Sequence, residues 1–362
     1  MKLVFPGSQF GPIGIDADGR WIKAAQFRRV GRGRSLWATA VIARADADAE
    51  VGRGDAERIA ALLERRGFAG RRVVLGLPRA AMLASNLELP PRDSGAPIEQ
   101  IARLELARAT RANAVAMEMA LWMIPAPIRA AEGSHAMALG ATHETTDPLI
   151  QGFAAAGLDV EAIDARVLAS ARACGPQMQT IGNMSVTIDV GWDALALGVF
   201  ISGVLVFERA VTEAGLKDLY TSITQRAGVD VDAIDLALGC PGGVAAPETP
   251  AARTISSRIR GCLTEFLELA QVEVDRSVSY VQSRYPQNSL DATALLGDGA
   301  GIPGLVERLQ ERLDCRVRRV DPGEVAVIGE HLIENTTSVS GLSGGASLLT
   351  AMGLALHTGK TM

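Results

Sequence analysis

The chain has 362 residues, and because domains usually span about 100–200 residues, this length predicts two lobes. Apolar residues make up 48% and charged residues 21%, which supplies a large core and excludes wholesale disorder. The net charge of −5 provides no general basic surface for a phosphate backbone, so we expect no nucleic-acid partner. No CxxC pair occurs among the cysteines, which fits a reducing compartment; they are Cys174, Cys240, Cys262 and Cys315.

No segment of the sequence is expected to enter a membrane. Pro6 and Gly7 interrupt the amino-terminal apolar patch, unlike a signal peptide. The apolar run 194–207 has 14 residues, whereas a spanning helix needs about 20. Ser202 and Gly203 near its middle predict a buried β-hairpin instead. We therefore expect a cytoplasmic protein.

One local cluster departs from the acidic balance of the chain. Residues 28–34 read RRVGRGR and contain four arginines. Such a run is usual at a solvated strand end, and it also suits an acidic membrane surface or an acidic partner. The sequence favours the first interpretation and leaves the second open.

The first part of the chain alternates strands with helices. Residues 12–27 predict a hairpin with its turn at 16–20, and residues 35–44 predict a third strand. Apolar residues at helical spacing predict a helix over 55–66, and a short buried strand over 73–77 follows.

A different pattern follows, which predicts an α+β module inserted at 82–164 into a first lobe of residues 1–182. A helix is expected over 98–112. Residues 115–123 have methionines at alternate positions, which predicts a strand, and a strand over 136–141 and a helix over 146–156 come next.

The second lobe is predicted over residues 183–345. It opens with three strands within 186–208, then a helix over 216–227 and a long amphipathic helix. A strand over 292–296, a helix over 305–313 and a strand over 315–320 complete a βαβ pattern. Each lobe is expected to hold a mixed five-stranded sheet, and a terminal helix within 346–362 is expected to pack back toward the first lobe.

Three glycine-containing turns could carry chemistry: GIDADGRWIK (14–23), TIDVGWDALALGVF (187–200) and ALLGDGAGIPGL (294–305). Each alone is what an ordinary hairpin turn needs. The first two echo each other, since both run from an apolar strand into Ile-Asp. The pairing, followed by a glycine-rich strand-to-helix turn, is more specific than any one of the three.

The order of these turns resembles the two phosphate loops and the adenosine loop of the actin, Hsp70 and sugar-kinase superfamily. Within it the chain is similar, through most of its length, to PilM-type proteins of type IV pilus assembly. The similar segments include VVLGLPRAAMLASNLELP (73–90), the stretch 143–173, and LLGDGAGIPGLVERLQERLDCRVRRVDP (295–322). The resemblance implies an α/β, two-lobed actin-like (ribonuclease H-like) fold with an inserted α+β subdomain.

The resemblance also implies a site for ATP and magnesium between the lobes. Asp16 and Asp189 would hold the metal or its waters, since hard oxygen ligands suit magnesium. Gly191 would approach the phosphates, because a glycine turn lets backbone amides surround an anion. The other residues at matching positions are Lys23, Gly297, Asp298 and Gly299.

The sequence departs from the superfamily pattern within both phosphate loops. Asp18, Arg20 and Trp21 stand where the first loop normally has small hydroxyl residues. Trp192 and Asp193 stand directly after the second loop glycine, where a Thr or Ser is normal. A bulky indole and extra carboxylates oppose a polyphosphate. We therefore predict a degenerate site with no cofactor and no catalytic residue, and keep an active ATP site as the alternative.

By resemblance the chain is a cytoplasmic scaffold that is attached peripherally to the inner membrane through its partners. The family implies that the cytoplasmic peptide of a PilN-like membrane protein docks between the first lobe and the inserted module. Pilus motor and platform proteins, and further copies of the chain, are additional expected partners.

Two enzyme classes remain as alternatives. A sugar-kinase-like phosphotransferase shares the same superfamily loops. A dinucleotide-binding oxidoreductase is suggested by Gly299, Gly301 and Gly304, which match GxGxxG with Asp321 about 20 residues on. Too few residues follow these glycines to complete a sheet around a dinucleotide, so this alternative is remote.

Overall fold

The structure is a computed structural model, and it describes residues 9–31, 33–128, 130, 133–178, 182–239, 250–328 and 345–359. The strands in these ranges form three sheets. In chain order they are β1 (Phe10–Asp18), β2 (Trp21–Val30), β3 (Gly33–Ala43), β4 (Arg72–Gly76), β5 (Leu83–Leu89), β6 (Met117–Met123), β7 (Ser134–Thr142), β8 (Asp159–Asp164), β9 (Met184–Val190), β10 (Leu195–Ile201), β11 (Val204–Val211), β12 (Leu290–Leu296), β13 (Arg316–Arg319) and β14 (Val327–Ile328).

The helices lie between these strands, which is the α/β pattern predicted. They are α1 (Arg53–Arg65), α2 (Ile98–Thr110), α3 (His143–Ala155), α4 (Arg166–Cys174), α5 (Leu216–Ala227), α6 (Val231–Gly239), α7 (Pro250–Arg284), α8 (Leu305–Leu313), α9 (Pro322–Val325) and α10 (Leu349–Ala355).

The sheet of lobe I has six strands in the order β14-β3-β2-β1-β4-β8. The first three strands are antiparallel neighbours, and β4 and β8 run parallel to β1. The predicted hairpin is present, but its turn has fewer residues than expected, because Asp16 lies inside β1 opposite Lys23 of β2.

Two strands correct the predicted domain boundaries. The sequence predicts an insertion at 82–164, yet β8 within that range pairs with β4 in the lobe I sheet. Strand β14 falls within the segment assigned to lobe II, yet it pairs with β3. Lobe I therefore has six strands rather than the five predicted. The sequence did not reveal these pairings, because parallel pairing between strands far apart in the chain leaves no local pattern.

The inserted module is therefore smaller than predicted. It consists of β5, α2, β6 and β7, with an antiparallel sheet in the order β5-β7-β6. Helix α3, which the sequence predicts as part of the module, instead packs Phe153 and Leu149 into the lobe I core beside Ile59 of α1. The module also contacts lobe II, where Trp122 donates to the carbonyl of Leu205 (2.9 Å) and Asn86 to that of Val206 (2.9 Å).

The sheet of lobe II has five strands in the order β11-β10-β9-β12-β13. Every residue of β9 and β10 is buried, as expected for central strands covered on both faces. The apolar run that begins at Ala194 forms β10 and the start of β11, and Ser202 and Gly203 make the turn at positive φ. The predicted hairpin is thus confirmed, and no helix in the described part of the chain is long and apolar enough to cross a membrane.

The last helix, α10, is fully buried and lies against β1 and α4 of lobe I. Two glycines allow this close approach. A Cβ added to Gly14 of β1 would stand 2.1 Å from the Ala351 carbonyl oxygen, and one added to Gly353 would stand 1.8 Å from that of Ala169. Helix and neighbours therefore pack backbone against backbone.

Candidate nucleotide cleft

The structure brings the predicted site residues together where the lobes meet. Six of the seven line one small cavity, formed at the end of β1, the end of β9 and the turn after β12. Arg79, Arg166 and Trp192 line the same cavity. Its volume is about 10 Å³, which is room for about one water molecule. The six are Asp16, Lys23, Asp189, Gly191, Gly297 and Asp298.

Both predicted metal ligands are engaged by arginines. Asp16 forms a buried ion pair with Arg166 at the start of α4. Asp189 accepts a hydrogen bond from Arg79, with 2.5 Å between Nη2 and Oδ2, and Nη2 of Arg166 lies 3.9 Å from the same oxygen. Guanidinium groups thus occupy the positions beside both carboxylates where a divalent cation would have to stand.

The charge of Asp189 is maintained by these neighbours. Burial raises its pKa, but Arg79, Arg166 and Lys23 outweigh that effect and hold the pKa below its usual value. The carboxylate is therefore ionised at neutral pH and already balanced by protein cations.

The predicted adenosine-loop residue Asp298 is also paired. Its carboxylate lies 2.6 Å from Nζ of Lys23, and both side chains are largely buried. This ion pair joins β2 of lobe I to the turn after β12 in lobe II, so Lys23 faces a carboxylate of its own chain.

The backbone amides that would surround a phosphate donate to carbonyls of the protein. The Gly191 amide donates to Ala194 (3.0 Å) and the Gly299 amide to Val190 (2.9 Å). The Gly297 amide points to the Ala346 carbonyl at 3.3 Å. Gly299 does not line the cavity, because its Cα faces the Val190 side chain.

The unusual loop residues form a packed cluster. Arg20 is ion-paired to Asp235 of α6 (2.9 Å) and lies 5.6 Å from the Trp192 ring and 5.8 Å from that of Tyr220. Trp192 meets Tyr220 edge-on at 5.1 Å. It also covers Gly19, where an added Cβ would lie 2.5 Å from the Trp192 Cβ. The first loop is thus held against lobe II by an arginine and aromatic rings.

This arrangement does not fit a magnesium–nucleotide complex. The carboxylates are paired with arginines, the loop amides are bonded to carbonyls, and the remaining volume is that of a water. Among the described residues, no group of three or more His, Cys, Asp or Glu side chains is placed to hold a metal ion. What the arrangement can do is hold the two lobes together by charge.

Sequence reasoning missed the two arginines. Arg79 follows β4 and Arg166 opens α4, and neither belongs to a motif; only the structure shows that they point at the two aspartates. Asp235, which pairs with Arg20, was also missed. The Asp18 side chain, predicted to oppose a phosphate, lies outside the described residues. Asp321, the acidic residue of the dinucleotide alternative, instead caps α9 in a capping box with Glu324.

A family model described as type IV pilus assembly protein PilM matches residues 14–359. The match covers almost the whole chain, including both lobes and the module. The chain belongs to the PilM family. No curated protein matches the sequence.

The fold is that of actin-like proteins, as solved structures show. A PilM–PilN type IV pilus biogenesis complex aligns with a TM-score of 0.75 at 19% identity, over 96% of this chain and 98% of that chain. MreB 5 of Spiroplasma citri bound to AMPPNP aligns with a TM-score of 0.52 at 10% identity, over 97% and 96%. EutJ of Carboxydothermus hydrogenoformans aligns at 0.51 and 14%, over 96% and 89%. The predicted two-lobed actin-like fold is confirmed.

Proposed function

We propose that this PilM-family chain is a cytoplasmic scaffold of a type IV pilus assembly platform, and that it binds the cytoplasmic peptide of a PilN-like membrane protein. The family match over residues 14–359 carries the proposal. The similar structure of a PilM–PilN complex supports this class of partner.

The module offers an edge strand to an extended peptide. Strand β6 forms one edge of its sheet, and edge strands present backbone donors and acceptors to an added strand. At the junction with lobe I, His143 of α3 meets Glu118 of β6 at 3.2 Å. We infer that the peptide enters beside this junction, where backbone pairing would supply affinity and neighbouring side chains would supply specificity.

We further propose that the scaffold works without nucleotide. In place of a ligand, its own charges join the lobes: Arg79 with Asp189 and Lys23 with Asp298. An active ATP site, or a phosphotransferase built on it, would require the arginines to leave both carboxylates. Breaking a buried, hydrogen-bonded ion pair costs about 3–5 kcal/mol, which a nucleotide would have to offset.

The partner proposal is tested with the full-length chain and a fluorescent peptide from the cytoplasmic segment of the PilN-like protein of the same organism. Anisotropy is expected to rise to saturation with this peptide and to stay flat with a scrambled peptide of identical composition. Equal binding of both peptides, or binding of neither, would reject the partner assignment.

The nucleotide proposal is tested by calorimetric titration with Mg-ATP. No heat of binding is expected up to millimolar ATP, from protein whose fold is verified by circular dichroism. Micromolar binding would overturn the degenerate site, and phosphate release on adding sugar acceptors would instead favour the phosphotransferase alternative.

A further inference from the structure

One end of the lobe I sheet gathers three segments that are distant in sequence. The β2–β3 hairpin turns at this end, α1 terminates there, and β4 and β8 begin there, with Arg72 paired to Asp159. The connection from α1 to β4 is fixed to the hairpin strands, because Trp37 donates to the Gly67 carbonyl (3.0 Å) and Gln26 to that of Ala69 (2.7 Å). We call residues 28–31, 33–34, 64–72 and 159–161 the basic edge.

The basic edge has a charge opposite to that of the molecule. Its described residues include seven arginines and three carboxylates, a net charge of +4, against −5 for the whole chain. The described arginines are exposed apart from Arg28, which is half-buried. Two of the carboxylates each form an ion pair with one arginine, Glu64 with Arg71 (3.2 Å) and Glu161 with Arg72 (3.3 Å). Most of the positive charge is therefore left uncompensated by these acids.

The hairpin places two like charges directly opposite each other. Arg29 of β2 is the cross-strand partner of Arg34 of β3, and no carboxylate of the described residues forms an ion pair with either. Facing like charges destabilise an antiparallel pair. An anion bound at this point would relieve the repulsion, so the pairing itself favours an anionic partner over bulk solvent.

The tip of the hairpin combines this charge with an exposed apolar side chain. Val30 is 57% exposed and stands between Arg29 and the turn at Gly31. Together with Gln9 and Arg28 these residues line an open groove. The Arg28 guanidinium lies 5.3 Å from the Trp37 ring, so one wall of the groove is held in place by cation–π packing.

We propose that the basic edge binds directly to a membrane surface rich in anionic phospholipids, with the hairpin tip entering the headgroup layer. Arginines supply the electrostatic attraction, and Val30 supplies apolar contact at the acyl boundary. A lipid surface fits better than an acidic protein, because the arginines spread over three segments around one exposed apolar tip. The proposal goes beyond the scaffold function and does not depend on the partner peptide.

The test is flotation of the full-length chain with vesicles of phosphatidylethanolamine and phosphatidylglycerol, compared with vesicles of phosphatidylcholine alone. The chain is expected to float with the anionic vesicles only, and raising the salt concentration is expected to release it. Absence of flotation with anionic vesicles, or equal flotation with neutral ones, would overturn the proposal. Absence of flotation with anionic vesicles would instead favour an acidic protein as the partner of the basic edge.

Charge reversal at the hairpin locates the contact. Arg34→Glu is expected to weaken vesicle binding by at least about fivefold, since one arginine near an anionic surface is worth about this factor. The matched control is Arg260→Glu, an exposed arginine of α7 with the same change of charge; it is expected to bind vesicles as the wild type does. Equal loss in both variants would show a response to net charge alone and would contradict the assignment.

Loss of fold does not confound this test. In the Arg34→Glu variant an acid faces Arg29, so the hairpin exchanges a repulsion for an attraction. Its melting temperature is expected to equal or exceed that of the wild type while vesicle binding falls. Val30→Ser, which leaves the charge unchanged, is expected to weaken vesicle binding by about threefold through lost apolar contact. Unchanged binding would show that the hairpin tip does not contact the membrane.

Discussion

Asp189 is the residue on which the cleft depends most directly, because Arg79 and Arg166 approach its carboxylate within a buried region. Asp189→Asn keeps the side-chain shape and removes the charge. We expect it to lower the free energy of unfolding by about 3–5 kcal/mol, since a buried cation then loses its counter-charge. Urea denaturation at pH 7 measures this change.

The matched control for that measurement is Glu64→Gln, which breaks the exposed pair with Arg71. It is expected to change stability by less than about 0.5 kcal/mol, as surface pairs generally do. Because the folded-state pKa of Asp189 is lowered, its stabilising effect is present above about pH 4 and is lost as the pH falls through the lowered value. A similar loss for both variants would contradict the buried ion-pair assignment.

Glu208 on β11 has the opposite behaviour. Burial raises its pKa to about 7, although Arg79 opposes the shift. Because the folded protein holds this proton more tightly than the unfolded chain does, the folded state is favoured below about pH 4.5. That contribution to stability is lost as the pH rises from about 4.5 to about 7. Glu208→Gln is therefore expected to exceed the wild type in stability at pH 8 by about 1–3 kcal/mol.

Denaturation of this variant and the wild type across pH 4–8 measures the difference. At pH 4 the two proteins are expected to coincide, since the wild-type carboxyl group is then protonated in both states. A gap that does not change with pH would show that Glu208 is not buried in the way described.

At the scale of elements, the packing of α10 into lobe I is the contact most sensitive to a single methyl group. Gly353→Ala would place a Cβ against the Ala169 backbone, which cannot move aside without shifting α4. We expect a loss of at least about 2 kcal/mol. Thermal unfolding of the purified variant measures the effect.

Gly261, which lies in the middle of α7, provides the control. An added Cβ there meets nothing within 4 Å, so Gly261→Ala is expected to stabilise the chain by up to about 1 kcal/mol through helix propensity. If both substitutions stabilised the protein, α10 would not be packed against α4 as described.

The sequence predicted individual elements well and their partners less well. Helix α5 and helix α8 have the predicted bounds, because their apolar spacing and terminal glycines are local signals. The carboxylates Asp16 and Asp189 were singled out by resemblance to the superfamily loops, and the structure places both at the cavity. Arg79 and Arg166 were not, because their meeting with these carboxylates depends on tertiary packing across many residues.

At the scale of the whole molecule, ion pairs join the lobes at several points around the cleft. Arg20 pairs with Asp235, and the exposed Lys217 of lobe II pairs with Asp48 of lobe I at 2.5 Å, in addition to the two buried pairs. Four contacts between the same two bodies oppose opening more than any one of them does. The lobes are therefore expected to remain closed whether or not nucleotide is added.

Small-angle X-ray scattering tests this expectation. The radius of gyration of the full-length chain is expected to be identical with and without millimolar Mg-ATP. A compaction on adding Mg-ATP would show that the lobes open in its absence and would contradict the ion-pair closure. The partner peptide, measured in the same way, provides an independent comparison.

The contact between the module and lobe II has a further consequence, which concerns solubility. Strand β11 is an outer strand of the lobe II sheet, and such strands readily recruit strands from other chains. Because Trp122 and Asn86 donate to two of its carbonyls, the module shields that side from intermolecular β-pairing. A chain shortened by removal of residues 83–142 is expected to expose β11 as a template for aggregation, so the module would limit association through this strand.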